Sequence, residues 1–133
     1  MKKALSFAAL AIVAFAGLAF AGDKFDLKVS SAKGKAGEKA TATVTVTAKG
    51  DYHVNLDYPH KLILTAPDGV TVEKVKLVAS DAKVSKEQLQ FSVVATSAAA
   101  GSKTIDAELK SAVCTEDTCE PFSQKITIQV ESK

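Results

Sequence analysis

Apolar and polar residues alternate along most of this 133-residue chain, and the alternation restricts it to β-structure. In residues 40–48, A-T-A-T-V-T-V-T-A, Ala42, Val44 and Val46 fall on one face and the threonines on the other. A period of two that is rich in β-branched residues is typical of a strand with one buried face. The same period recurs at 25–29, 89–95, 105–109 and 126–130.

Two shorter strands are predicted at 61–66 and 70–78. In the second, the apolar phase slips between Val72 and Val75, which predicts a bulge or a bend there. Turn signals rich in glycine separate the strands, at 34–37, 49–51, 67–69 and 100–102. About seven short strands joined in this way predict an all-β fold, an immunoglobulin-like antiparallel β-sandwich.

The first 21 residues are predicted to be a cleaved signal peptide. Two lysines precede an apolar run over residues 4–18, and Ala19-Phe20-Ala21 has the small-x-small pattern that signal peptidase needs. A membrane anchor is disfavoured because the run is dominated by alanine and no positive cluster follows it. Residues 22–133 are therefore predicted to be one periplasmic or secreted domain with no membrane span.

Charge argues against nucleic acid as a partner. Removal of the signal takes away two lysines, so 17 basic residues fall to 15 against 15 acidic ones, and the net charge falls from +2 to 0. Every basic residue is a lysine, whereas nucleic-acid readout relies on arginine and on a positive balance. The sequence also lacks a Ser-His-Asp signature, a glycine-rich phosphate loop and a His-Glu-x-x-His motif. No cofactor is expected.

The feature most suited to chemistry is the pair Cys114 and Cys119, which lies between the last two predicted strands. An even number of cysteines in an exported chain predicts a disulfide. Closing so short a loop stabilises a fold by only about 2 kcal/mol, against about 4.7 kcal/mol for a loop of ~100 residues. Thiol–disulfide exchange needs an accessible sulfur and a second sulfur to resolve the mixed disulfide. From the spacing alone, exchange and a small structural disulfide both stay open.

Several short motifs occur in an order that resembles a known family. Over residues 24–130, the chain resembles the N-terminal periplasmic domain of the thiol:disulfide interchange protein DsbD. The motifs are G-D-Y-H at 50–53, K-L-I-L at 61–64, P-D-G-V at 67–70, L-Q-F at 89–91 and, as the most specific, C-T-E-D-T-C-E-P at 114–121.

This resemblance implies an immunoglobulin-like domain that carries electrons through Cys114 and Cys119. It further implies that Tyr52 stands near the pair, that Pro121 follows it, and that the partner is a thioredoxin-like or membrane thiol–disulfide oxidoreductase. The family covers its disulfide with a cap loop bearing an aromatic residue, whereas residues 79–86 contain none. The relatives also carry a membrane region and a thioredoxin-like domain. This chain has neither, so its reducing power is expected to come from a separate protein.

Two other functions remain open. One is a non-catalytic secreted module for binding or structure, in which the disulfide stiffens the last hairpin. The other is a metal-binding module, in which His53 and His60 join the two thiols around zinc or copper. The simpler interpretation of His53 and His60 is that both are partly exposed loop residues. The sequence does not decide which cysteine attacks.

Overall fold

The computed structural model describes residues 17–133, so most of the predicted signal peptide lies outside the described residues. The chain folds into two six-stranded sheets. The first sheet contains β1 (Gly17–Ala21), β2 (Phe25–Ser30), β4 (Lys39–Ala48), β7 (Val70–Val72), β9 (Ala82–Val84) and β10 (Gln88–Ser97). The second sheet contains β3 (Ala32–Gly34), β5 (His53–Val54), β6 (Lys61–Thr65), β8 (Lys76–Val78), β11 (Gly101–Cys114) and β12 (Cys119–Ser132).

The order of the first sheet is β1-β2-β4-β10-β7, with β9 also beside β10. The order of the second is β3-β12-β11-β6-β8, with β5 also beside β11. Every pairing is antiparallel except that of β3 with β12, which is parallel. In residues 17–133, no helix is long and apolar enough to span a membrane.

The core lies between the two sheets, because each sheet turns one apolar face towards the other. Buried side chains on the first sheet include Leu27, Val29, Ala42, Val44, Val46, Leu89, Phe91 and Val93. Those on the second include Leu62, Ile105, Leu109, Ile126, Ile128 and Val130. The structure therefore confirms the all-β, immunoglobulin-like sandwich and the inward phase of its long strands.

The segment predicted as one strand at 70–78 is two strands in different sheets. β7 pairs with β10 in the first sheet, and β8 pairs with β6 in the second. The phase slip between Val72 and Val75 therefore marks the point at which the chain crosses from one sheet to the other. Short strands of this kind at the sheet margins explain why the described residues contain twelve strands and not about seven. Within residues 79–86, the segment that corresponds to the family's cap loop, residues 79–81 form a single 3₁₀ turn and residues 82–84 form β9.

Candidate functional site

Cys114 and Cys119 form a disulfide at the closed end of the β11–β12 hairpin. Cys114 ends β11, Cys119 begins β12, and the two residues are direct cross-strand partners. The turn between them is held by its own hydrogen bonds. The backbone N–H of Thr115 donates to the carbonyl oxygen of Thr118 at 2.8 Å, and the Thr115 hydroxyl accepts from two backbone N–H groups. The disulfide thus joins strands that the hairpin already holds together.

The two cysteine residues differ in their access to solvent. Cys114 is 3% exposed, whereas Cys119 is exposed. Cys114 lies inside the sheet, between Cys119 on β12 and His53 on β5. At Cys119, by contrast, the outer edge of β12 has no partner among residues 17–133, because β3 pairs only with the far end, at 130–132. Cys114 thus has a paired strand on each side, whereas Cys119 lies on an open edge.

The disulfide lies on the outer face of the second sheet. Ile126 and Ile128 of β12 point into the core, and side chains alternate along a strand. Glu120 is therefore on the inner side and Cys119 on the outer side. Pro121 lies two residues further along β12, exposed, on the same face as Cys119 and opposite Ala112.

Asn55, which sequence reasoning missed, contacts the exposed sulfur. Its side-chain amide donates to Cys119 Sγ at 3.7 Å, while its side-chain oxygen accepts the backbone N–H of Asp57 at 2.8 Å. Its own backbone N–H donates to the carbonyl oxygen of Ala112. An asparagine side-chain oxygen often accepts the backbone N–H two residues further on and so closes a turn. The sequence Asn-x-Asp at 55–57 was the signal that could have pointed to this turn. The turn fixes the amide beside the sulfur.

Glu120 follows Cys119 and holds two partners on the inner side. The Tyr52 hydroxyl donates to one carboxylate oxygen at 2.8 Å, and the Lys24 ammonium forms an ion pair with the other. These contacts lower the pKa of Glu120, with Lys24 as the larger cause. The hydrogen bonds to Glu120 in turn raise the pKa of Lys24 and of Tyr52. Tyr52 therefore stands next to the residue that follows Cys119, on the opposite side of the sheet from the disulfide.

The two histidines lie in different environments, and the expectation that both are partly exposed is wrong for His60. His60 is 0% exposed. Its Nε2 donates to the carbonyl oxygen of Asn55 at 2.7 Å, so its Nδ1 accepts from the Ser111 hydroxyl at 2.8 Å. Burial lowers the pKa of His60. Both ring nitrogens are occupied, so His60 does not join the thiols.

His53 is half-buried on β5, directly opposite Cys114. The structure therefore brings His53, but not His60, to the cysteine pair. In the part of the chain that the structure describes, no group of three or more His, Cys, Asp or Glu side chains is arranged to hold a metal ion.

No family model matches the chain, and no curated protein matches it. Among solved structures it is similar to the GAE domain of yeast GGA1, at 9% identity and a TM-score of 0.48, covering 84% of this chain and 97% of that one. It is also similar to AggA, the major subunit of aggregative adherence fimbriae type I from Escherichia coli (9% identity, TM-score 0.43, covering 82% and 94%). A PapD-like domain of human CEP192 has 7% identity and a TM-score of 0.40, covering 95% and 98%. The class defined by fold and site is an immunoglobulin-like β-sandwich with a disulfide closing its last hairpin.

Proposed function

We propose that this protein is an exported thiol–disulfide exchange protein, in which Cys114 and Cys119 alternate between disulfide and dithiol. The observation that carries the proposal is the difference in exposure between Cys119, which is exposed, and Cys114, which is buried. An exposed cysteine gives a partner's thiolate a point of attack. When the protein passes its electrons on, the buried cysteine beside it can resolve the mixed disulfide. The resemblance of residues 24–130 to the DsbD N-terminal domain supports the same function.

Exposure assigns a role to each sulfur. A thiolate of the partner attacks Cys119 Sγ, the Cys114–Cys119 bond breaks, and its electron pair leaves on Cys114 Sγ. The partner's second thiolate then attacks the partner's own sulfur in the mixed disulfide and releases Cys119. The partner is oxidised to a disulfide, and this protein gains two electrons as a dithiol. In the reverse direction, Cys119 attacks and Cys114 resolves.

A structural role explains the position of the disulfide less well. The pair joins cross-strand neighbours whose turn already carries its own hydrogen bonds. In the chain-entropy account, a loop this short adds only about 2 kcal/mol. The bond also lies on the outer face of the second sheet, apart from the core cluster, so it does not join one sheet to the other.

The proposed partner is a thioredoxin-like or membrane thiol–disulfide oxidoreductase, and the proposed location is the periplasm or the extracellular space. The predicted signal supports the location, because disulfides persist in oxidising compartments. Strand β1 overlaps the end of the predicted signal and pairs with β2 at a sheet edge. Cleavage before Gly22 removes this edge strand and leaves the core residues in place. Intact-mass analysis of the exported protein should give Gly22 as its first residue, and a mass that includes residues 17–21 would exclude cleavage there.

The test of the proposed exchange is the equilibrium reduction potential of the exported protein, titrated in glutathione or dithiothreitol buffers. Exchanging pairs have values of roughly −120 to −270 mV, whereas structural disulfides lie below about −300 mV. A value in the exchanging range is expected. A value below −300 mV would make Cys114–Cys119 a structural bond and favour the non-catalytic module.

A further inference from the structure

His53 is the cross-strand neighbour of Cys114 on the side away from Cys119. The register of β5 on β11 places His53 directly opposite Cys114. Directly opposed residues of an antiparallel pair share a face, with Cβ atoms about 4.5–5.5 Å apart. No hydrogen bond or ion pair holds the His53 imidazole among the side chains of residues 22–133. The imidazole is therefore free to act on Cys114.

Exchange creates a chemical problem at Cys114. Attack on Cys119 leaves negative charge on the sulfur of Cys114, a residue that is 3% exposed. Burial disfavours the charged form of a thiol, and a buried charge needs a proton or a partner. The amide of Asn55 donates to Cys119 and does not solve this problem at Cys114.

The other charged groups near β5 are less well placed. Lys86 is exposed, and its carbonyl oxygen accepts the N–H of Val54. It therefore lies on the edge of β5 that faces away from β11. Glu116 and Asp117 are exposed in the turn, and their negative charge would oppose a thiolate. Glu120 is on the inner side, bound to Lys24 and Tyr52. His53 alone among these groups shares both register and face with Cys114.

We infer that His53 is the proton donor to Cys114 when the disulfide is reduced, and the base that removes this proton when it re-forms. The inference rests on the proposed exchange function. As the reductant's thiolate bonds to Cys119 Sγ, the disulfide electron pair moves to Cys114 Sγ. An imidazolium proton of His53 then passes to that sulfur, which leaves a neutral Cys114 thiol and a neutral imidazole. The imidazole regains its proton from water.

This role has a signature in the pH dependence of the rate. Among the side chains, histidine is the one whose usual pKa places its change of charge between pH 5 and 8. The rate constant for reduction, expressed per reductant thiolate, should therefore rise as pH falls through this range. The expected rise is about tenfold, below the ~10²–10⁴ usual for general acid catalysis because a thiolate is already a fair leaving group.

The experiment measures reduction of the oxidised, exported protein by dithiothreitol from pH 5 to 8.5, with each rate divided by the concentration of dithiothreitol thiolate. The wild type, His53→Gln and the control Lys86→Gln are compared. Lys86 lies on the edge of β5 away from β11 and Cys114, so Lys86→Gln should preserve the rise at low pH. His53→Gln should abolish the rise, and His53→Asn provides a second variant if the first does not fold.

The outcomes separate the two claims. If His53→Gln retains the wild-type rise, the His53 inference is overturned while exchange stands, provided the potential lies in the exchanging range. If the wild-type potential lies below about −300 mV, the exchange function itself fails.

Discussion

Cys114 and Cys119 are bonded to each other, yet Cys114 lies between two strands and Cys119 lies at an open strand edge. The strands next to β11 and β12 account for this difference in position. β5 covers the outer edge of β11 at Cys114, while β3 pairs with β12 only at its far end. The disulfide thus joins a buried residue to an exposed one.

The first prediction concerns the reactivity of each thiol alone. In Cys114→Ser the remaining Cys119 should react with iodoacetamide at least about tenfold faster than Cys114 does in Cys119→Ser, because access of the reagent limits thiol reactivity. Measurement in denaturant is the control, since both thiols should then react at similar rates. Equal rates in the folded variants would remove the basis for assigning Cys119 as the attacked sulfur.

The second prediction concerns stability after reduction. Reducing the disulfide should lower the free energy of unfolding by about 2 kcal/mol, because the closed loop is short. Urea unfolding of the oxidised and reduced protein measures the difference, and the Cys114→Ser, Cys119→Ser double variant should match the reduced protein. A loss of about 4 kcal/mol or more would identify a structural bond instead.

The third prediction concerns the amide of Asn55, which donates to Cys119 Sγ. In Asn55→Asp, an oxygen can still accept the Asp57 N–H, but a carboxylate replaces the amide donor near the sulfur. In the reduced protein this should raise the pKa of the Cys119 thiol, since negative charge disfavours a thiolate. The pH dependence of alkylation of Cys119 in Cys114→Ser reports this pKa.

Asn55→Ala is the matched comparison, because it loses the turn contact and the amide together without adding charge. The pKa of Cys119 should rise less in this variant than in Asn55→Asp. If neither variant changes this pKa, the amide does not interact with the thiolate.

The fourth prediction concerns pH and the buried His60. Burial lowers the pKa of His60 in the folded state, so the unfolded chain binds the proton more tightly than the folded protein does. This difference affects the free energy of unfolding below about pH 6.5, where the unfolded chain takes up the proton. The contribution of neutral His60 is therefore complete above pH 6.5 and is lost as pH falls towards the folded-state pKa. The slope should reach at most about 1.4 kcal/mol per pH unit.

Urea unfolding between pH 7.5 and 5 measures this slope. The pKa values of the carboxyls of Asp81 and Glu120 are lowered, so these groups titrate below this range. His60→Gln should be less stable at neutral pH and should lose the contribution of His60 to the slope. An unchanged slope in this variant would assign the pH dependence to another group.

Much of the fold could be predicted from the sequence, because burial of one sheet face places an apolar residue at every second position of each long strand. The residues predicted to face inward in β4, β10, β11 and β12 are buried, and the cysteines close the predicted hairpin. The short strands could not be predicted from the sequence. β5 has two residues and β9 has three, too few for a period to show.

The sequence by itself determined a β-sandwich with a disulfide between its last two long strands. Only the tertiary structure decided what surrounds that disulfide. Strand β5 places His53 opposite Cys114, and the turn after it brings Asn55 to Cys119. The same fold directs His60 into the core and leaves one edge of β12 open at Cys119. These contacts join residues about 60 positions apart in the chain, and such pairing depends on sheet order and register, which local patterns do not specify.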